Sequence, residues 1–365
     1  MRILVVNTGS SSLKLRVLDG ERIDADLELE RWEGEDDLDA LGAFVADVGT
    51  VEAVGHRVVH GGSELTAPAR VTPQVEAQIL ALTSLAPLHQ PRAVAGMRAL
   101  RRLLPEPTQV ACFDTTFHTT LLPAAATYAL PSSWRERWGL RRFGFHGLSH
   151  AWAVRRAPEV AGRPRAADRV ISCHLGAGAS LCAARHGRSV DTTMGYTPLE
   201  GLVMGTRSGS VDPGLVVWLI EHGGLDAHEV GHGLEHDAGL AGLSGTDGDL
   251  RDVLAARRDG DADAALAVDV YVHRLRREIA AMAAALDGVD VVAFTGGMGE
   301  HSAELRAEAV AGLGFLGLAL DADANAATTG DGDISGPGAA ARAVVVTARE
   351  DREIAHQVEA ALSTA

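Results

Sequence analysis

The chain has 365 residues, room for two domains of about 100–200 residues each, and its 46% hydrophobic and 22% charged composition is that of a globular protein, neither disordered nor fibrous. Lys plus Arg number 33 against 49 Asp plus Glu, a net charge of −16 that repels nucleic acid and anionic membranes, so an anionic substrate has to be caught by local positive charge. Three cysteines without a Cys-x-x-Cys pair fit no disulfide framework. The apolar start at residues 3–6 is shorter than the roughly 7–15 residues of a signal-peptide core, and no apolar stretch nears the roughly 20 residues that span a bilayer. The expected location is the cytoplasm. Lys14 is the only lysine. Biased codon usage explains it, and so does a position that wants a compact ammonium in place of a planar guanidinium.

Residues 3–6 read as a strand, 7–12 (Asn-Thr-Gly-Ser-Ser-Ser) as a turn, and 13–18 as a second strand closed by Asp19-Gly20. Another strand follows at 53–60, then helical spacing at 71–86 and 92–104, a short buried strand at 109–113 ending on Asp114, and a connector at 123–138. The opening plan then recurs as strand 170–175, small-residue turn 176–180 and strand 181–185. Aligned through Leu13 and Leu181, the two blocks lie about 168 residues apart, which suggests a duplicated unit. Helices at 213–222, 227–236, 249–258 and 262–286, strand 291–295, helix 302–311, strand 343–347 and a last helix at 350–362 complete an α/β protein of two lobes. The Ala-, Gly- and Asp-rich stretch 322–341 reads as a surface loop.

Two motif matches fail on context. His228-Glu229-Val230-Gly231-His232 has the HExxH spacing of zinc proteases, with His236 one turn on. Gly231 and Gly233 each weaken that helix by about 1 kcal/mol, and no apolar stripe accompanies it, so a solvated helix is expected. Gly312-Leu313-Gly314-Phe315-Leu316-Gly317 matches GxGxxG but follows a helix where a dinucleotide loop needs a strand.

Gly/Ser-rich turns at 7–12, 176–180, 205–209 and 295–299 are expected at strand ends, where bare backbone N–H groups suit phosphate oxygens. Each alone is weak; four in one chain point to a polyphosphate ligand. Arg57 lies on a strand among apolar residues, Arg207 is flanked by glycines in Met204-Gly205-Thr206-Arg207-Ser208-Gly209, and His146 sits between Gly144-Phe145 and Gly147. Asp114 ends a buried strand, where α/β folds place ligand groups.

These stretches resemble the acetate kinase family. The resemblance runs through Asn7 to Lys14, His56 to Gly62, Pro87 to Pro91, Phe113 to Thr115, Phe143 to Gly147, Met194 to Arg207 and Phe294 to Glu300, in order, over most of the chain. It implies a duplicated ribonuclease H-like fold of two lobes with mixed sheets flanked by helices, as in sugar kinases, heat-shock chaperone ATPases and actin, with an interlobe cleft for ATP. Residues 1–118 with 352–365 form the acetate and phosphate lobe on this reading, and 119–351 the nucleotide lobe. The implied activity is Mg²⁺-dependent transfer of a phosphoryl group from ATP to acetate, by direct in-line displacement, in a homodimer, with Mn²⁺ an alternative metal.

Residue by residue, the resemblance gives Arg57 the acetate carboxylate, Arg207 the transferring phosphoryl, His146 a transition-state contact and Asp114 the role of active-site carboxylate. Asn7 and Glu350 organise the metal, and Lys14 reaches the ATP phosphates. His174-Leu175-Gly176-Ala177-Gly178, Asp249-Leu250-Arg251 and Gly297-Met298-Gly299-Glu300-His301 match nucleotide loops. Val59, Leu88, Phe145 and Pro198 match the pocket for the acetate methyl. A carboxylate with a pKa near 4 is already ionised and needs no general base, whereas a sugar hydroxyl would. The chain departs from the family pattern at Ala177 (usually Asn), at Ser210 and at Ala348-Arg349-Glu350-Asp351, so weakened nucleotide affinity or turnover is expected. The alternatives are a propionate or butyrate kinase, a sugar kinase, or a nucleotide-binding sensor without transfer activity.

Overall fold

The computed structural model describes residues 1–9, 12–32, 34–35, 37–163 and 168–363. The chain forms two compact units, each on one six-stranded mixed sheet. The first takes Met1–Thr119, Phe145–Trp152 and Arg349–Ala365, the second Thr120–Gly144 and Ala153–Ala348. These bounds differ from the expected 1–118 with 352–365 against 119–351. Phe145–Trp152 joins the first unit because Leu148 is part of its apolar core and Phe145 sets its ring edge-on to His60.

In the first unit, β1 (Arg2–Thr8), β2 (Leu13–Asp19), β3 (Arg22–Leu29), β4 (Ala53–Val58), β5 (Ala69–Arg70) and β6 (Thr108–Phe113) lie in the order β3-β2-β1-β4-β6-β5. β1, β2 and β3 are antiparallel neighbours, β1, β4 and β6 are parallel, and β5 is an antiparallel edge. β1 is apolar without alternation because both its faces are covered. Leu4 and Val6 pack with Trp32, Leu41 and Leu100, whereas Ile3 and Val5 pack with Cys112, Ile354 and Val358. The last helix, Glu350–Ser363, lies so close to β4 that a Cβ on Gly55 would sit 2.5 Å from Ile354 Cγ2 and 2.8 Å from Val358 Cγ2.

In the second unit, β7 (Arg169–Leu175), β8 (Ala179–Arg185), β9 (Arg188–Thr192), β10 (Val291–Thr295), β11 (Gly332–Asp333) and β12 (Arg342–Val345) follow the order β9-β8-β7-β10-β12-β11. The senses repeat those of the first sheet strand for strand. Three antiparallel strands followed by two parallel ones, twice over, are the duplicated ribonuclease H-like arrangement. The helix Ala262–Ala285 buries Ala267, Tyr271, Leu275, Ile279 and Met282 and packs against β8 and its neighbours as well as against adjoining helices.

Three readings need correction. The 123–138 connector holds two short helices, Pro123–Ala126 and Ser132–Trp138, with Trp134 and Trp138 exposed. The 322–341 stretch is not a surface loop, because Asn325, Ile334 and Ala341 are buried in it. It contains the helix Ala322–Ala327, capped by the Asp321 carboxylate on Ala324 N, and then β11. Its small residues serve close packing and capping, which composition alone does not separate from turns. The 205–209 turn lies in irregular chain after β9 and not at a strand end. Ser10 and Ser11 of the 7–12 turn lie outside the described residues. The HExxH segment is a solvated helix, Ala227–His236, with Val230 its only buried residue; Glu229 caps its start by accepting from Asp226 N at 2.7 Å. The GxGxxG match falls on a 3₁₀ turn, Gly314–Leu316, after a helix.

Candidate active site

Parallel strands bring their carboxyl ends to one edge of a sheet, where ligands of α/β folds bind. In the first unit that edge carries Asn7 near the end of β1, Arg57 near the end of β4 and Asp114 just past β6. Asp114 stays in line because its N–H extends the ladder to Val58 O at 2.9 Å. Arg57 grips it with Nη2 at 2.7 Å from Oδ2 and Nε at 3.2 Å from both oxygens, while Nη1 donates to Asn7 Oδ1 at 3.2 Å. Glu350, first residue of the last helix, comes within 3.9 Å of Arg57 Nε. Burial works against the charge of Arg57, but Asp114 and then Glu350 outweigh it and raise its pKa above the ordinary value. Of the five guanidinium N–H groups, one on each terminal nitrogen is left for a ligand.

His146 is half-buried beside this cluster in a left-handed conformation, φ 54°, unusual for a non-glycine residue. It is held there by Gly147, whose N–H donates to Asp114 O at 2.8 Å and where a Cβ would strike that same carbonyl. Of the expected methyl pocket, Phe145 is buried, Val59 half-buried and Leu88 55% exposed; Pro198 belongs to the second unit. Lys14, directly across the ladder from Asn7, pairs with Glu28 at 2.7 Å, both side chains being more than half exposed.

Sequence assigned Arg16 no role and named Arg349 only within the departing stretch Ala348–Asp351. Arg349 holds both oxygens of Asp351 at 2.8 Å and Arg16 adds a bond at 3.1 Å, which fastens the turn that presents Glu350. Burial would raise the Asp351 pKa, but these guanidiniums hold it below the usual carboxylate range.

The second unit has a cavity of about 770 Å³ at the carboxyl ends of β7 and β10. Gly176, Ala177, Gly178, Asp249, Leu250, Arg251, Gly297, Met298 and His301 line it, as does Arg207. His174, Leu175, Gly299 and Glu300 are not in its wall. Leu175 and Gly299 are buried, and Glu300 Oε1 staples two backbone amides, accepting from Gly296 N and Ala348 N at 2.9 Å each. Asp247, Arg258 and Glu304 also line the cavity and were missed. Leu254 and Arg258, one turn apart on the helix Leu250–Arg258, carried a helical-face signal. Arg251 holds Asp249 below the ordinary carboxylate range and so ionised.

The loop that carries Arg207 is packed backbone to backbone. Gly205 N donates to Ala177 O at 3.0 Å, and Leu240 N and Ala241 N donate to Met204 O and Gly205 O at 2.9 Å each. Gly239 and Gly248 have φ of 65° and 87°, and a Cβ on either would lie within 2.4 Å of a carbonyl of this loop. Ser210, one of the departures, ties the same region by bonding Gly201 through both backbone and side chain at 3.0 Å. The Arg207 guanidinium donates to Pro198 O at 3.3 Å and, among the described residues, forms no ion pair. Burial lowers its pKa, with Glu235 partly opposing. A cation desolvated without a carboxylate, in a glycine-walled cavity, is made for an anionic ligand.

The Acetokinase family profile matches residues 36–356. An acetate kinase from Synechococcus sp. (strain JA-2-3B'a(2-13)) is 50% identical over 324 residues, 89% of this chain and 78% of that protein. One from Leifsonia xyli subsp. xyli is 44% identical over 97% of both. Among solved structures, the acetate kinase of Porphyromonas gingivalis superposes with a TM-score of 0.90 at 34% identity over 99% of both chains. A propionate kinase from Francisella tularensis superposes with a TM-score of 0.90 at 32% identity over 98% of both. With a family profile that matches most of its length, half of its aligned residues shared with one of these relatives and a fold superposable on both structures, the chain belongs to the acetokinase family.

Proposed function

We propose that the protein is an acetate kinase, which reversibly transfers the γ-phosphoryl group of ATP to acetate to give acetyl phosphate and ADP. The observation that carries this is Arg207, a half-buried cation without an ion-pair partner among the described residues, in a glycine-walled cavity. A loose phosphoryl-transfer transition state spreads charge over three equatorial oxygens, and a matched arginine contributes about 10³–10⁵ in rate. The nucleotide occupies the cavity, with its phosphates toward the Gly176–Gly178 turn and Arg207. The two spare N–H groups of Arg57 take the acetate carboxylate side-on. His146 donates to the transferring group, and Lys14 contacts the ATP phosphates after leaving Glu28. Asp114 has both oxygens engaged by Arg57, which suits an acceptor that needs no base and does not suit a sugar hydroxyl.

Asn7 and Glu350 fit Mg²⁺, or Mn²⁺ in its place, by donor chemistry: one amide oxygen and one carboxylate on either side of Arg57, all hard oxygen. Among the described residues no three His, Cys, Asp or Glu side chains cluster to hold a metal alone, so Asn7 and Glu350 would share the ion with non-protein oxygens. Bound there, the ion neutralises phosphate charge. The buried free thiols of Cys112, Cys173 and Cys182 support a reducing compartment, the cytoplasm. A homodimer is supported by the helix Pro213–Glu221, which buries none of its residues and exposes Leu215, Val217, Trp218 and Ile220.

The test is hydroxylamine trapping of acyl phosphate with ATP, Mg²⁺ and equimolar acetate, propionate or butyrate. Acetate is expected to be the best substrate, with a graded decline because one methylene is worth about 1–3 kcal/mol. ATP binding without hydroxamate from any acid sinks the proposal and leaves a sensor.

A further inference from the structure

One wall of the nucleotide cavity is made by two short runs of chain, Gly297 with Met298 and His301 to Glu304, at the junction of the helices Gly296–His301 and Ala303–Ala311. A six-residue helix rich in glycine has little stability of its own, and its last carbonyls lack helical partners. Two of them are satisfied from one side chain, while Met298 O accepts from Ser302 N at 3.1 Å. Arg306 Nη1 donates to Gly299 O at 2.9 Å and to Glu300 O at 2.7 Å. The rest of its guanidinium goes to one residue: Nε to Asn325 Oδ1 and Nη2 to Asn325 O, both at 2.8 Å. Asn325 Nδ2 then donates to Ala303 O at 2.8 Å, back in the cavity wall.

Arg306 is 1% and Asn325 4% exposed, and every acceptor of the guanidinium is neutral. Burial lowers the Arg306 pKa. A buried guanidinium without a carboxylate is costly for stability alone, which directs attention to what it holds. A lysine has no fork to reach four acceptors. An aspartate at 325 would pair with the charge but would lose the donor to Ala303. The chain contains only two asparagines, Asn7 and Asn325. One stands in the phosphate and metal platform, the other in this brace.

We propose that Arg306 and Asn325 are positioning residues for the nucleotide, fixing the cavity wall from behind without touching the ligand. This rests on the cavity being the ATP site. The experiment uses the full chain and titrates MgATP calorimetrically into wild type, Arg306→Lys and Asn325→Asp, alongside initial rates with acetate varied. Asn325→Asp keeps the Oδ1 acceptor and a counter-charge, so it folds even where Arg306→Lys does not. The expected result is a Kd and KM for MgATP raised about tenfold, the loss of one good buried hydrogen bond, with the KM for acetate unchanged. A lower melting temperature with wild-type MgATP affinity in Asn325→Asp would make the pair merely structural and overturn the inference. Wild type that binds no MgATP overturns the functional reading first, and this inference with it.

Discussion

Two arginines of similar burial are expected to respond oppositely to truncation. Arg57→Ala removes the guanidinium that pairs with Asp114, 2% exposed, and breaking such a pair costs about 3–5 kcal/mol. Arg207→Ala removes a desolvated cation with no ion-pair partner among the described residues, so the melting temperature is expected to hold or rise while turnover falls by about 10³–10⁵. Thermal melts beside the hydroxamate assay separate the two. A second residue-scale expectation concerns pH. Burial pushes the pKa of His56 and of His60 down to about 4, from 6.5. Between those values the unfolded chain binds more protons, so the stability gained by keeping both rings neutral is complete above pH 6.5 and is lost as pH falls toward 4. The slope reaches about 2.7 kcal/mol per pH unit for the pair. Urea midpoints measured from pH 7 to 4 are expected to fall along that window, and His60→Gln to flatten the curve. Arg57 and Asp114 were legible in sequence because a charge within or at the end of an apolar strand is chemically conspicuous. Arg306 was not, since an arginine inside a helix looks like any solvated one.

At the level of elements, buried strands were readable and edge strands were not. β1, β4, β6, β7 and β10 announce themselves as apolar runs, because sheet or helix covers both faces. β3 carries only exposed and half-buried side chains, and β9 buries only the polar Ser189 and Thr192, so neither has such a run. The helix Gly147–Val160 begins on glycine and contains Pro158, and the cavity wall at Gly296–His301 is half glycine, so propensity argued against both. What fixes them is tertiary, and the last helix shows how sharply. Gly55→Val puts methyl groups where Ile354 and Val358 already stand. Overpacking of this kind costs about 1–3 kcal/mol, and displacing the helix also displaces Glu350. A lower melting temperature together with a higher Mg²⁺ requirement is expected; an unchanged Mg²⁺ titration would detach Glu350 from the metal role.

Across the whole molecule, the two sheets place their polar clusters at equivalent edges: in one the Asn7, Arg57 and Asp114 cluster, in the other the glycine-walled cavity with Arg207. The strand–turn–strand echo about 168 residues apart was visible in sequence, but only the matching strand orders extend it to all twelve strands. The exposed apolar helix Pro213–Glu221 makes a prediction at this scale. Light scattering is expected to give the mass of two chains for wild type and of one for Trp218→Glu; a monomeric wild type removes the dimer. The lone lysine has a consequence too. Acetyl phosphate is an acylating agent that reacts with neutral amines and leaves guanidinium groups alone. An enzyme that releases it meets it at higher concentration than any bystander does. With arginine in place of lysine everywhere but position 14, and the Lys14 ammonium held by Glu28, the protein offers its own product a single side-chain target. Peptide mapping after long exposure to acetyl phosphate is therefore expected to find side-chain acetylation at Lys14 and at no other residue, a chemical durability written into composition.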